Sequence, residues 1–209
     1  MSALPGPPRA ATPDGPPPPH RPAHLLVVGA TGALLPAVHA LTARGDTVTA
    51  LARNAAALRE LERRTDGRSR PLPRDYEAPG LAGALAHASR TAPFTGAVLY
   101  CPLATPATVR TLATAVPSGR PVVLLPTSAC AAPGDGEPED LPWSPARLPA
   151  AARPRSGTRL LVLGWRTEPE GTRWHTAEEI SAAALRLLDA PSAHDTVLGD
   201  VRPWPARPR

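Results

Sequence analysis

Two glycines, Gly29 and Gly32, stand in the run Val27-Val-Gly-Ala-Thr-Gly-Ala-Leu-Leu35, between an apolar stretch and a stretch of helical periodicity. Glycines in such a turn let the backbone approach a phosphate, and the helix that follows supplies amide donors and the positive end of its dipole. The expected ligand is the pyrophosphate of a dinucleotide, held by Gly29, Thr31, Gly32, Ala33 and Leu34; the alternative is a turn of the same shape that binds no nucleotide. Further on come Ala52-Arg53-Asn54, at the end of the next predicted strand. A carboxylate at that place binds a ribose 2′-hydroxyl, whereas an arginine suits a 2′-phosphate. Arg53, with Asn54 as a neighbouring donor, therefore predicts NADP(H) in preference to NAD(H), unless Arg53 is only a solvated loop residue.

A second group of reactive side chains falls at the ends of the later predicted strands. Tyr100 and Cys101 end the fourth, Thr127, Ser128 and Cys130 follow the fifth, Trp165 follows the sixth, and His175 lies in the last crossover. His175 is the histidine of this set, with an ordinary pKa near neutrality that suits acid–base work. Cys101 and Cys130 would both lie near the nicotinamide end, either as a redox pair or as two buried free thiols. No histidine and cysteine set has metal-ligand spacing, so no metal is expected. All 23 basic residues are arginine. The absence of lysine excludes Schiff-base chemistry, a phosphate-loop lysine and any catalytic pair that needs an ammonium.

Alternating strands and helices must hold these residues in place. His24-Leu-Leu-Val-Val28 is apolar without alternation, as in a strand buried on both faces of a parallel sheet. Residues 33–44 carry Leu34, Val38 and Leu41 at helical spacing and stop at Gly45. A second strand is expected over 47–51, and Asn54 can cap the helix bearing Leu58 and Leu61. Further strands are expected near 70–74, over 96–101, 120–126 and 158–164, and at the edge over 195–201. Helices are expected over 79–90 and 106–116. Thr176-Ala-Glu-Glu179 forms a capping box for a helix through Leu188. The pattern predicts an α/β fold, a doubly wound and mainly parallel Rossmann-type sheet of about 6–7 strands with helices on both faces. Residues 1–22, with Pro16 to Pro19, read as a disordered proline-rich tail, 23–204 as a single domain with a long loop or lid at 131–157, and 205–209 as a C-terminal tail.

The glycine turn resembles that of the short-chain dehydrogenase/reductase group, in particular its atypical members with Gly-x-x-Gly-x-x-Gly. Gly29 and Gly32 match the first two glycines, while Leu35 stands at the third, followed by Pro36. The resemblance covers roughly residues 24 to 130. It implies a Rossmann fold, a nicotinamide cofactor, a substrate-orienting role for Ser128 and a place near the adenine for Asp75. The segment Arg173-Trp-His-Thr-Ala-Glu-Glu-Ile-Ser181, with Gly199 to Trp204, is similar to the C-terminus of small bacterial proteins of that group which lack its catalytic pair. That pair is a tyrosine acidified by a lysine four residues later. Here the tyrosines are Tyr76 and Tyr100, neither in the motif. Tyr100 or His175 is left as candidate proton donor beside Ser128, with water as their substitute.

The formal charge of +5 comes from arginines scattered along a chain with 4 Trp, 2 Tyr and 1 Phe. A nucleic-acid binder concentrates its charge among stacking aromatics, so no nucleic-acid partner is expected. No apolar run is long enough to span a membrane, and no signal-peptide core is present. Two cysteines cannot make a disulfide framework, which points to the cytoplasm. The expected activity is oxidoreduction of a small carbonyl or related substrate, with a homodimer implied by the resemblance alone. A non-catalytic nucleotide-binding regulator or scaffold is the alternative.

Overall fold

The computed structural model describes residues 22–190 and 194–209. The tail expected over 1–22 lies, except for Pro22, outside the described residues. Seven strands form one parallel sheet: β1 (His24–Val28), β2 (Thr47–Ala52), β3 (Ser69–Pro73), β4 (Gly96–Leu99), β5 (Val122–Leu124), β6 (Thr158–Leu163) and, at the far edge, a strand over Thr196–Leu198. A separate antiparallel hairpin pairs β7 (Trp165–Glu168) with β8 (Gly171–Trp174), which makes the edge strand β9. The spatial order is β3-β2-β1-β4-β5-β6-β9. The chain therefore starts in the middle of the sheet, winds outward to β3, then returns across β1 to β4. This reversal opens a crevice at the carboxyl ends of β1 and β4, where ligands sit in such sheets.

Among the described residues, five helices cover the two faces: α1 (Leu35–Ala43), α2 (Ala55–Arg64), α3 (Leu81–Ala88), α4 (Pro106–Thr114) and α5 (Ala177–Asp189). Successive strand side chains point to opposite faces. Leu25 and Val27 of β1 accordingly pack with α1, α2 and α5, while Leu26 and Val28 pack with α3 and α4. The unalternating apolar strands thus serve two cores at once, which is why Leu26, Val27 and Val28 are all fully buried. Pro71 and Pro73 fit β3 because it is an edge strand, where a missing ladder donor faces no partner.

The connection from β5 to β6 departs from the winding pattern. It contains no α-helix, only 3₁₀ turns at Ser128–Ala131, Pro145–Arg147 and Ala150–Ala152. Pro133, Pro138, Pro142, Pro145, Pro149 and Pro154 recur too often for a helical ladder to form, since each lacks a donor and crowds the preceding turn. The expected loop over 131–157 is present but packed, with Leu148 against the α3–α4 core and Trp143 against Val162 and Val201.

The crossover after β6 contains the β7–β8 hairpin, which the sequence reading did not assign. Trp165 is fully buried and meets Trp174 edge-on at 6.4 Å, which holds the β7–β8 hairpin against the sheet. Residues beyond 204 do not form a free tail. The 3₁₀ turn Trp204–Ala206 packs on Trp165 at 6.1 Å, and the Ala206 carbonyl accepts a hydrogen bond of 2.6 Å from Thr172 Oγ1.

Candidate active site

The crevice begins at the glycine turn. Gly29 has φ +88°, a conformation open to glycine at little steric cost. Its amide donates to the Leu51 carbonyl, and its own carbonyl accepts from Gly32 and Leu34. The amides of Thr31 and Ala33 make no hydrogen bond among the described residues, so the turn offers two donors at the mouth of α1. Helix α1 starts at Leu35 with Pro36 in its first turn, where a missing amide hydrogen costs nothing. Leu35, at the third-glycine position, packs on the α1 side of the core and lines no part of the crevice. Leu34, expected at the ligand, is also fully buried in that core, so only its backbone borders the turn.

Two cavities lie over the strand ends and share Ala33 and Tyr100. The first, of about 520 Å³, is bordered by the glycine turn, Arg53, Asn54, Arg74 and Tyr76. Asn54 accepts from the Ala57 amide at 3.0 Å and so caps α2, as its position predicts. Arg53 is exposed, and Arg74 Nη1 donates to the Pro79 carbonyl at 2.6 Å. Among the described residues, no carboxylate borders this cavity. Asp75, expected near the adenine, instead accepts from the Glu77 amide at 2.9 Å and does not border the cavity. Arg74 and Tyr76 escaped the sequence reading. Their signal was available: they follow β3 as Arg53 follows β2, at the same end of the sheet.

The second cavity, of about 500 Å³, gathers Tyr100, Thr127, Ser128, Leu163, Trp174, His175, Ile180 and Arg207. The three residues expected to do chemistry, Ser128, Tyr100 and His175, therefore border one space. The hydroxyls of Tyr100 and Ser128 make no hydrogen bond with any described residue, so both are available to a ligand. His175 is differently placed. Its Nδ1 lies 3.2 Å from Glu179 Oε2 and its Nε2 3.1 Å from the Leu198 carbonyl; both partners are acceptors, so a neutral ring donates to one of them while lying between α5 and β9. Glu179 closes the capping box with Thr176, and the Arg173 guanidinium beside it holds its carboxyl far below the usual range.

Cys101 and Cys130 border a neighbouring apolar cavity of about 320 Å³, between α4 and the β5–β6 loop. Burial pushes each thiol up to about 11. At neutral pH both stay protonated and poorly nucleophilic. Among the described residues, no group of three histidine, cysteine, aspartate or glutamate side chains could hold a metal ion. Among the described residues, no helix is long and apolar enough to cross a membrane.

Sheet order, glycine turn and strand-end crevice together define a Rossmann-type architecture. Solved structures of short-chain dehydrogenases/reductases are similar to it in fold. An oxidoreductase of the short-chain dehydrogenase/reductase family from Burkholderia thailandensis aligns with TM-score 0.56 at 20% identity, over 86% of this chain and 91% of the other. A short-chain type dehydrogenase/reductase from Mycobacterium marinum aligns with TM-score 0.60 at 15% identity, over 85% and 93%. The MalC reductase/Diels-Alderase from Malbranchea aurantiaca aligns with TM-score 0.61 at 15% identity, over 86% and 95%. No family model and no curated protein matches the chain.

Proposed function

We propose that the chain binds NADP(H) and acts as an atypical oxidoreductase on a small carbonyl or related substrate. The observation that carries this reading is the pair of cavities joined at Ala33 and Tyr100, laid over the strand ends as a two-part ligand requires. The free amides of Thr31 and Ala33 suit a pyrophosphate at the join. Arg53 and Arg74, with no carboxylate among the described residues that line their cavity, suit a 2′-phosphate better than a ribose hydroxyl. When bound, the nicotinamide supplies or takes up a hydride.

The chain's own residues then orient the substrate and supply a proton. Ser128, 3% exposed and placed by the first 3₁₀ turn, donates its hydroxyl hydrogen to the substrate oxygen. Tyr100, at the join, is the proton donor in reduction, and solvent reprotonates it. His175 serves as a positioning residue for the cavity wall, because its ring nitrogens already have partners. Without a lysine ammonium to stabilise the phenolate, proton transfer from tyrosine is slow near neutral pH. The same shortage favours the second reading, a nucleotide-binding regulator without turnover.

Titration by NADPH fluorescence, repeated with NADH and followed by a screen of small aldehydes and ketones, tests both readings. NADPH binding tighter than NADH, with carbonyl-dependent oxidation of NADPH, is expected. Binding without turnover would leave the regulator, and binding of neither nucleotide would overturn both.

A further inference from the structure

The second cavity contains three hydroxyl-bearing residues, an apolar wall of Leu163, Trp174 and Ile180, and a single arginine from beyond the last strand. Among the described residues, no carboxylate borders it. That arginine, Arg207, has no ion-pair or hydrogen-bonded side-chain partner among the described residues. The hairpin arginines nearby are neutralised: Arg166 and Arg173 both pair with Glu168 and Glu179.

Arg207 is nevertheless held in place. Its amide donates to the Trp204 carbonyl at 3.1 Å, and its guanidinium carbon lies 5.0 Å from the Trp204 ring centroid. Trp204 rests edge-on against the fully buried Trp165, and the turn is tied to the hairpin through Thr172. Stacking occupies the face of a guanidinium and leaves its in-plane donors, which match the two oxygens of a carboxylate. An exposed cation held over a tryptophan ring, with no ion-pair partner among the described residues and at the rim of a cavity lined by hydroxyls and an apolar wall, is arranged to receive an anion.

We propose that Arg207 is a specificity residue that binds a carboxylate on the substrate, so that the substrate is an oxo acid with an apolar or aromatic body. This rests on the oxidoreductase reading for the identity of the reaction, though not for the binding of the anion. The apolar wall receives the body, Arg207 the carboxylate, and the hydroxyls of Ser128 and Tyr100 the carbonyl oxygen. The competing source of the same chemistry is a phosphate of the cofactor, which the test separates.

Calorimetric titrations of the full chain would use pyruvate, benzoylformate and phenylpyruvate, each beside its methyl ester, with and without saturating NADP⁺. The wild-type chain is expected to bind at least one acid of the series about tenfold or more tighter than its ester, as an arginine–carboxylate pair allows. Arg207→Gln should erase that ratio, and Arg207→Lys should restore part of it, while NADP⁺ affinity stays within about twofold. Equal binding of acid and ester, or of acid by wild type and Arg207→Gln, overturns the proposal, as does failure of every acid to bind. Loss of NADP⁺ affinity in Arg207→Gln assigns the guanidinium to the cofactor and also overturns it. If wild type binds no NADP⁺, the oxidoreductase reading fails, while the acid-to-ester ratio without cofactor still decides the role of Arg207.

Discussion

Gly29 and Tyr100 meet across the ends of β1 and β4 so closely that a Cβ on Gly29 would lie 3.1 Å from the Tyr100 carbonyl oxygen and 3.3 Å from its Cβ. This contact joins the glycine turn to Tyr100, one of the two residues shared by both cavities. Gly29 also holds φ +88°, so any side chain adds backbone strain to the clash. Gly29→Ala should lower stability by about 1–3 kcal/mol and weaken NADPH binding by displacing Tyr100. Urea unfolding read beside an NADPH titration checks both effects. Gly45→Ala, at φ +96° with open space around it, controls for the strain alone.

The arginine pair in the first cavity makes a separable prediction about nucleotide choice. Arg53→Ser and Arg74→Ser should each raise the Kd for NADPH while leaving that for NADH nearly unchanged. A charge-assisted contact of this kind is worth about 1.5–3 kcal/mol, and less for the exposed Arg53 because solvent screens it. Fluorescence titration with the two nucleotides measures the ratio. Equal loss for both would remove the 2′-phosphate from Arg53 and Arg74.

Much of this crevice is legible in the chain because its signals are local. The apolar run His24–Val28, the two glycines and the asparagine cap each act within a few residues, and each element forms where its pattern lies. What escaped depends on residues distant in sequence. The β7–β8 hairpin is held by Trp165 inside the core, and the last turn is held by Trp165 and Thr172 together. A tryptophan's burial cannot be read from period alone, so Arg207 appeared to be part of a tail. His175 lines the second cavity, but the carbonyl of Leu198 that lies 3.1 Å from its Nε2 comes from 23 residues away.

Removing hydroxyls from the second cavity should separate chemistry from binding. Tyr100→Phe should lower kcat by about 10²-fold or more on any carbonyl turned over, the usual range for loss of a proton donor, with little change in NADPH affinity. Ser128→Ala should lower kcat/KM, because the oriented hydroxyl is lost. Steady-state kinetics on the first substrate found would measure both. An unchanged kcat in Tyr100→Phe would transfer the proton step to water.

The buried Cys101 and half-buried Cys130 thiols predict slow chemistry. With Cys101 and Cys130 both raised to about 11, native protein should react with iodoacetamide far more slowly at pH 7.5 than an exposed thiol does. Denaturant should release both to the ordinary rate. Mass spectrometry of timed samples resolves the two sites, and rapid native labelling of Cys101, only 6% exposed, would contradict its burial.

His24 supplies the pH dependence of the fold. Its ring is 4% exposed within β1, with Nδ1 2.7 Å from the Ala92 carbonyl and Nε2 2.9 Å from Thr49 Oγ1. Burial lowers its pKa, and the nearby positive charge of Arg70 acts in the same direction against the hydrogen bond to Ala92. A base with a lowered folded-state pKa is protonated first in the unfolded chain. Its neutral form therefore supports full stability above the ordinary histidine value of about 6.5, and stability falls as pH drops below it. His39, lowered mainly by burial, adds to the loss with the same sign. Glu179, held low by Arg173, acts in a different window, stabilising the fold above the ordinary glutamate range and losing that contribution only at more acid pH. Urea midpoints should consequently decline between pH 7.5 and 5.5, before any carboxylate contributes. His24→Gln, with no group to titrate there, should be less stable at pH 7.5 yet show a shallower decline. An equal slope in wild type and variant would move the acid sensitivity away from β1.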